Sequence, residues 1–116
     1  MSRSVLLQLA RDSIQEVLEA NRTIDKESLL REYPLLGEKV ATTVNIYLNS
    51  KLKGSSSTKT PTYSLLEDIV KNAKRAAFED KNYAPISTSE YLHCEVELIL
   101  TTDDGEMSER DKAIIK

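Results

Sequence analysis

Apolar residues recur at helical spacing along the start of the chain: Val5, Leu6, Leu9, Ala10, Ile14, Val17 and Leu18 share one stripe. That period predicts an amphipathic helix from about Ser4 to Ala20 that buries the stripe, with Asn21 as its stop. A shorter helix from about Asp25 to Arg31 follows, with Leu29 and Leu30 pointing inward. It ends before Pro34, because the residue preceding a proline disfavours the helical region. The period then changes. Residues 39–48 are rich in β-branched side chains (Val40, Thr42, Thr43, Val44, Ile46) and predict a strand with Val44, Ile46 and Leu48 on one face. Asn49-Ser50 supplies the turn, since Asn tolerates positive φ, and residues 51–56 pair back.

The stretch 54–62, made largely of Gly, Ser, Thr and Pro, reads as a solvated loop. Ser64, with Glu67 three residues on, predicts a capping box and a helix over 64–80. Its core face is Leu65, Leu66, Ile69, Ala73, Ala76 and Ala77. From Tyr91 the chain alternates: Leu92, Cys94, Val96, Leu98 and Leu100 face one way, His93, Glu95 and Glu97 the other. This predicts a half-buried strand over 91–101. Residues 101–105 form a turn, and 107–115 a short helix with Met107, Ala113 and Ile114 as apolar contacts. The fold class is α+β: a small antiparallel sheet of at least three strands packed against the helices at 4–20 and 64–80.

At 116 residues the chain is long enough for one domain with its own core. The net charge of -3 gives no global field for nucleic acid or an anionic membrane. Charge is unevenly placed, however: residues 51–81 carry seven Lys/Arg against four Asp/Glu, and residues 90–111 carry eight acids and one Arg. Two solvated faces of opposite sign are the simplest account. The single cysteine, Cys94, excludes an internal disulfide and a multi-cysteine zinc site. No apolar run reaches the roughly 20 residues of a membrane span, and the expected location is the cytoplasm.

Read together, these segments resemble the AMMECR domain family. The residues that carry the likeness are Leu6 to Ile14 in the opening helix, Val44-Asn45-Ile46, and Leu52-Lys53-Gly54. Leu65 to Ile69, Asn72-Ala73, Ala76 to Asp80, Tyr83 to Ser87, Glu90 and Val96 to Leu100 continue it. The family signature Leu-Arg-Gly-Cys-Ile-Gly is altered, with Ser55, Ser56 and Ser57 in its last three positions. The family's Asp-Pro-Arg-Phe becomes Asp80-Lys81-Asn82-Tyr83. The resemblance implies that residues 1–116 are a single AMMECR-like domain lacking the family's C-terminal portion. It also implies self-association or a protein partner through apolar surface left open, with the strand from Tyr91 or the last helix involved.

Candidate chemistry centres on the signature. Ser55 stands where the family has cysteine, and a serine becomes a nucleophile only with a base to take its proton. His93, the one histidine, is the candidate base, oriented by Glu95 or Glu97. Lys53, Gly54, Ser56 and Ser57 would form an anion-binding cradle with the loop backbone. The resemblance sets Arg11 beside that loop, where its guanidinium would hold an anionic group. His93, Glu95 and Glu97 offer too few convergent donors for a metal, and no metal or cofactor is assigned. Cys94 falls on the core face as a small hydrophobe. Lys51, Lys53, Lys59, Lys71, Lys74 and Arg75 would serve phosphate binding, but only Tyr47 and Tyr63 lie near for stacking, so nucleic acid is not the favoured partner. The expected function is a degenerate AMMECR-like domain that binds without catalysis. The alternatives are a hydrolase or transferase using Ser55 and a nucleic-acid binder.

Overall fold

The structure is a computed structural model that describes residues 3–115. Helix α1 (Val5–Glu19) is capped by the Ser4 hydroxyl, which accepts from the Leu7 amide, and it ends at Ala20 in the left-handed region. Leu7, Leu9, Ala10 and Ile14 are buried, whereas Val17 lies at 44% exposure, beyond the reach of the core. Helix α2 (Lys26–Glu32) starts from an Asp25 cap. Leu29 packs on the core, but Leu30 is exposed. A 3-10 turn at Pro34–Gly37 leads into the sheet and buries Leu36.

Strands β1 (Ala41–Leu48) and β2 (Lys51–Ser57) form the first hairpin. Asn49 and Ser50 both take positive φ, 53° and 66°, the geometry whose twist matches a two-residue hairpin. A bulge falls after Ile46: Ile46 sits opposite Gly54 and Tyr47 opposite Leu52, so Lys53 is the extra residue. Strand pairing extends to Ser57 and takes in the whole serine run, Ser55 to Ser57, the start of the stretch expected to be loop. Hydroxyl bonds described below tie this strand to the next helix.

Helix α3 (Leu65–Phe78) carries the expected core face, all of it buried. The Ser64 hydroxyl accepts from the Glu67 amide, but the Glu67 carboxylate pairs with Lys26 instead of closing a capping box. Gly54 explains how closely α3 lies on β2: a Cβ there would stand 1.9 Å from the Ala76 carbonyl oxygen.

Two elements differ from the sequence reading. Residues Thr88–His93 form helix α4, and strand β3 begins only at Glu95 (Glu95–Thr102). A complete capping box, Ser87 with Glu90, starts this helix and overrides the alternating pattern. Residues Gly105–Arg110 are strand β4, in place of the helix expected from Met107 onward, and they pair antiparallel to β3 through a tight turn at Thr102–Gly105. The sheet order is β2-β1-β3-β4, antiparallel throughout. Helices α1 and α3 pack together, α3 on β1 and β2 and α1 on β3. The core lies between these helices and Val44, Ile46, Val96 and Leu98. Among the described residues no helix is long and apolar enough to cross a membrane.

Candidate functional site

The three serines of β2 alternate between the two sides of the sheet. Ser56 points towards α3, where its hydroxyl donates to Asn72 Oδ1 at 2.8 Å. Asn72 is buried, and its amide nitrogen reaches the Thr42 carbonyl (3.1 Å), Thr42 Oγ1 (2.9 Å) and Thr58 Oγ1 (2.9 Å). Asp68 completes this cluster: its carboxylate accepts from the Thr42 amide (2.8 Å), the Thr42 hydroxyl (2.7 Å) and the Thr58 hydroxyl (2.8 Å). A fully buried carboxylate with several donors is satisfied, and here it fastens α3 to both strands.

Ser55 lies on the opposite, solvent side. Its hydroxyl donates to Asn45 Oδ1 at 2.6 Å, and its backbone amide donates to Asp80 Oδ2 at 2.9 Å. Asn45 in turn donates to Glu97 Oε1 (2.9 Å), which also accepts from the Tyr47 hydroxyl (3.0 Å). The register places Ser55, Asn45, Glu97 and Arg110 in one row across all four strands. Arg110 stacks on the Tyr47 ring at 4.1 Å and pairs with Glu95 at 2.7 Å. Burial, then the bond to Glu97, pushes the Tyr47 phenol above its ordinary range.

His93 does not join this row. Being on α4 and not on β3, it shares no strand face with Glu95 and Glu97. It lines a cleft of about 580 Å³ with Tyr47, Ser50, Ser89, Glu90, Glu95 and Lys112, among others, and Ser55 is not part of that lining. No hydrogen bond joins His93 to Ser55 among the described residues. Lys53, the bulged residue, reaches towards the cleft and pairs with Glu90 at 3.4 Å. The Ser87 amide and then Lys53 hold the Glu90 carboxyl below its ordinary range, against a smaller upward push from burial. Ser57 sits at the end of β2 opposite Thr43, exposed. Among the described residues no group of three or more His, Cys, Asp or Glu is placed to hold a metal.

Arg11 is buried at 1% exposure, and none of its hydrogen bonds reaches β2. It does hold an anion, but one from this chain: Nε donates to Asp111 Oδ2 at 2.7 Å and Nη2 to Asp111 Oδ1 at 3.1 Å. The remaining donors go to the Tyr91 carbonyl (3.1 Å) and the Cys94 carbonyl (2.7 Å). Arg3 adds a second cation to Asp111 at 2.7 Å, and the Val96 amide donates to it at 2.8 Å. Burial alone would raise the Asp111 carboxyl, but bonds from Arg11, the Val96 amide and Arg3 outweigh it and hold the carboxyl below its usual range. Cys94 is buried beside this clasp and burial pushes its thiol up, the reverse of an activated nucleophile.

Sequence reasoning missed Asp111, Asn45, Asp80 and Glu97 as partners. Strand alternation placed Asn45 beside Tyr47 on the polar side and was the available signal for that row. Nothing local marked Asp111, which lies 100 residues from Arg11.

None of the curated proteins matches the chain. The crystal structure of an uncharacterized protein from Pyrococcus horikoshii is similar, with a TM-score of 0.74 at 29% identity. The alignment covers 84% of this chain and 49% of that one, so this chain spans about half the length of the structure it matches. The model of the family described as AMMECR1 matches residues 7–115, which takes in every helix and strand but the first two residues of α1. With nearly the whole chain matched, it belongs to the AMMECR1 family.

Proposed function

We propose that this is a binding or accessory domain without catalysis of its own, acting as one unit in the cytoplasm. The observation that carries the reading is the fate of the Ser55 hydroxyl. It donates at 2.6 Å to the amide oxygen of Asn45, a group that cannot take its proton. A serine nucleophile needs a base within hydrogen-bond reach, while the histidine lines a different cleft. Ser56 is likewise committed to Asn72. On the solvent side Ser55 thus stands in a stiff polar row, with Lys53 and the exposed Ser57 near it on β2, suited to holding a partner.

The favoured partner is a protein, a second copy of this chain included. Three of the six cations expected for nucleic acid are engaged within the chain, which supports this preference. Lys53 pairs with Glu90, Lys74 pairs with Glu16 on the α1 side, and Lys71 stacks on Tyr63 at 4.2 Å. A single buried cysteine suits a reducing compartment.

Fluorophosphonate labelling followed by mass spectrometry tests the reading. No adduct is expected at Ser55. Covalent labelling at Ser55 that disappears in a His93→Ala variant would overturn it and establish the enzyme alternative.

A further inference from the structure

The two edges of the sheet are finished differently. On β2 beyond the bulge, even-numbered residues from Gly54 to Thr58 face β1, as the Thr58 amide bonded to the Thr42 carbonyl shows, so the Ser55 amide points outward. The Asp80 carboxylate plugs it at 2.9 Å. The Lys51 and Lys53 side chains add charge to the same edge, a common guard against strand addition. On β4, the Asp111 amide bonds inward to the Val96 carbonyl at 3.0 Å. Antiparallel alternation then gives Met107 and Glu109 inward backbone groups and turns those of Glu106, Ser108 and Arg110 outward. All six residues of β4 are exposed, and no other element covers this edge among the described residues.

We propose that β4 is a self-pairing edge, and that its occupant is the β4 of a second copy, antiparallel about a two-fold axis through Ser108. That register matches Ser108 with its symmetry mate and Glu106 with Arg110 of the other copy. All three outward residues then form hydrogen-bonded pairs, each exchanging both backbone bonds. Neighbouring two-fold registers lose pairs or set like charges together. Centring on Glu109 opposes two carboxylates, and centring on Glu106 or Arg110 opposes two like charges at the axis. Within β4, centring on Ser108 alone places an acid opposite a base on both sides, since centring on Met107 leaves Arg110 opposite the turn residue Asp104; it also sets Glu109 against Met107, not against another acid. Met107, at 65% exposure, lies diagonally across the axis from its own mate, within reach of a long side chain. Two four-stranded sheets become one of eight. A C2 contact of this kind is isologous and closes, so the assembly stops at two.

This deepens the binding-domain reading by naming the partner, and its failure would leave the labelling result at Ser55 untouched. The experiment is sedimentation velocity of the full chain over a dilution series, with three variants. The parent should shift from one chain mass towards two as concentration rises. Ser108→Pro should remain a monomer at every concentration, because its amide faces outward and its loss spares the β3 ladder; far-ultraviolet circular dichroism checks its fold. Under mild oxidation with diamide, Ser108→Cys should cross-link to a covalent dimer, its paired Cα atoms lying within disulfide range. Glu106→Cys, whose mate lies several residues away along the strand, should not. A parent that stays monomeric at high micromolar concentration would overturn the proposal. So would a dimer that persists in Ser108→Pro, or cross-linking at Glu106→Cys as efficient as at Ser108→Cys.

Discussion

The side of the sheet turned to the helices and the side turned to solvent are built from the same polar residue types, with opposite consequences. Towards the helices, Asn72, Asp68 and Thr42 are at most 1% exposed. Among the described residues no buried side-chain nitrogen or oxygen lacks a partner. Towards solvent, Asn45, Ser55, Tyr47 and Glu97 form a row of similar hydrogen bonds that is only part-buried. A polar group cut off from water loses its whole solvation when a partner is removed, whereas a half-exposed one exchanges that partner for water. The helix side therefore fixes the fold, and the solvent side is where a surface can vary without unfolding the chain.

The largest expected effect tests the buried Arg11–Asp111 ion pair. Asp111→Asn leaves the Arg11 guanidinium without its counter-charge and should cost about 3–5 kcal/mol in urea unfolding. The pH dependence follows in sign. The folded-state carboxyl lies below its ordinary value, so its stabilisation is complete above the unfolded value of about 4 and is lost as pH falls through the folded value. Asp111→Asn should lack that acid-side decline. A cost below about 1 kcal/mol would break the contrast at its strongest point.

Gly54→Ala comes next. The added methyl meets the Ala76 carbonyl, which is backbone and cannot swing away. A loss near 3 kcal/mol is expected, the upper part of the overpacking range, with α3 displaced in backbone chemical shifts.

The contrast is sharpest with one residue type on both sides. Asn72→Ala strands Ser56, Thr58 and Thr42 groups in the interior and should cost about 1–3 kcal/mol. Asn45→Ala opens its partners to water and should cost about 0.5 kcal/mol. Paired unfolding curves check both. Equal costs would show that the solvent-side row is as structural as the buried network, and would remove the reason for treating it as a binding surface.

Much of the fold was legible because local signals agreed with the tertiary result. Ser4 and Ser64 mark helix starts, Asn49-Ser50 adopts the turn its residues favour, and the apolar face of α3 is buried as spaced. The misreadings have physical causes. The alternation from Leu92 to Leu100 ran through a helix whose signal, Ser87 with Glu90, was present but outweighed. Strand β4 has no apolar face at all, so pairing with β3 and not pattern makes it a strand. The serine run has the composition of a loop, yet the missing Cβ of Gly54 admits α3 and the hydroxyls then find Asn72 and Asp68. Of the site, the signature positions could be located by resemblance, but the partners of Ser55 and Arg11 depend on strand register and chain return.

The Arg11–Asp111 clasp has a further consequence for how the molecule opens. Chain ends are ordinarily where fraying and hydrogen exchange begin. Here Arg3 and Arg11, near the start, grip one carboxylate that immediately follows the last strand, while Ser4 bonds Glu109. The described chain is closed into a ring by contacts spanning 100 residues or more. Both ends of the described segment are tied to the core, so the earliest exchange is expected instead in exposed bends such as 59–63 and 103–104. The Val96 and Asp111 amides, held within the clasp, are expected to exchange only on global opening.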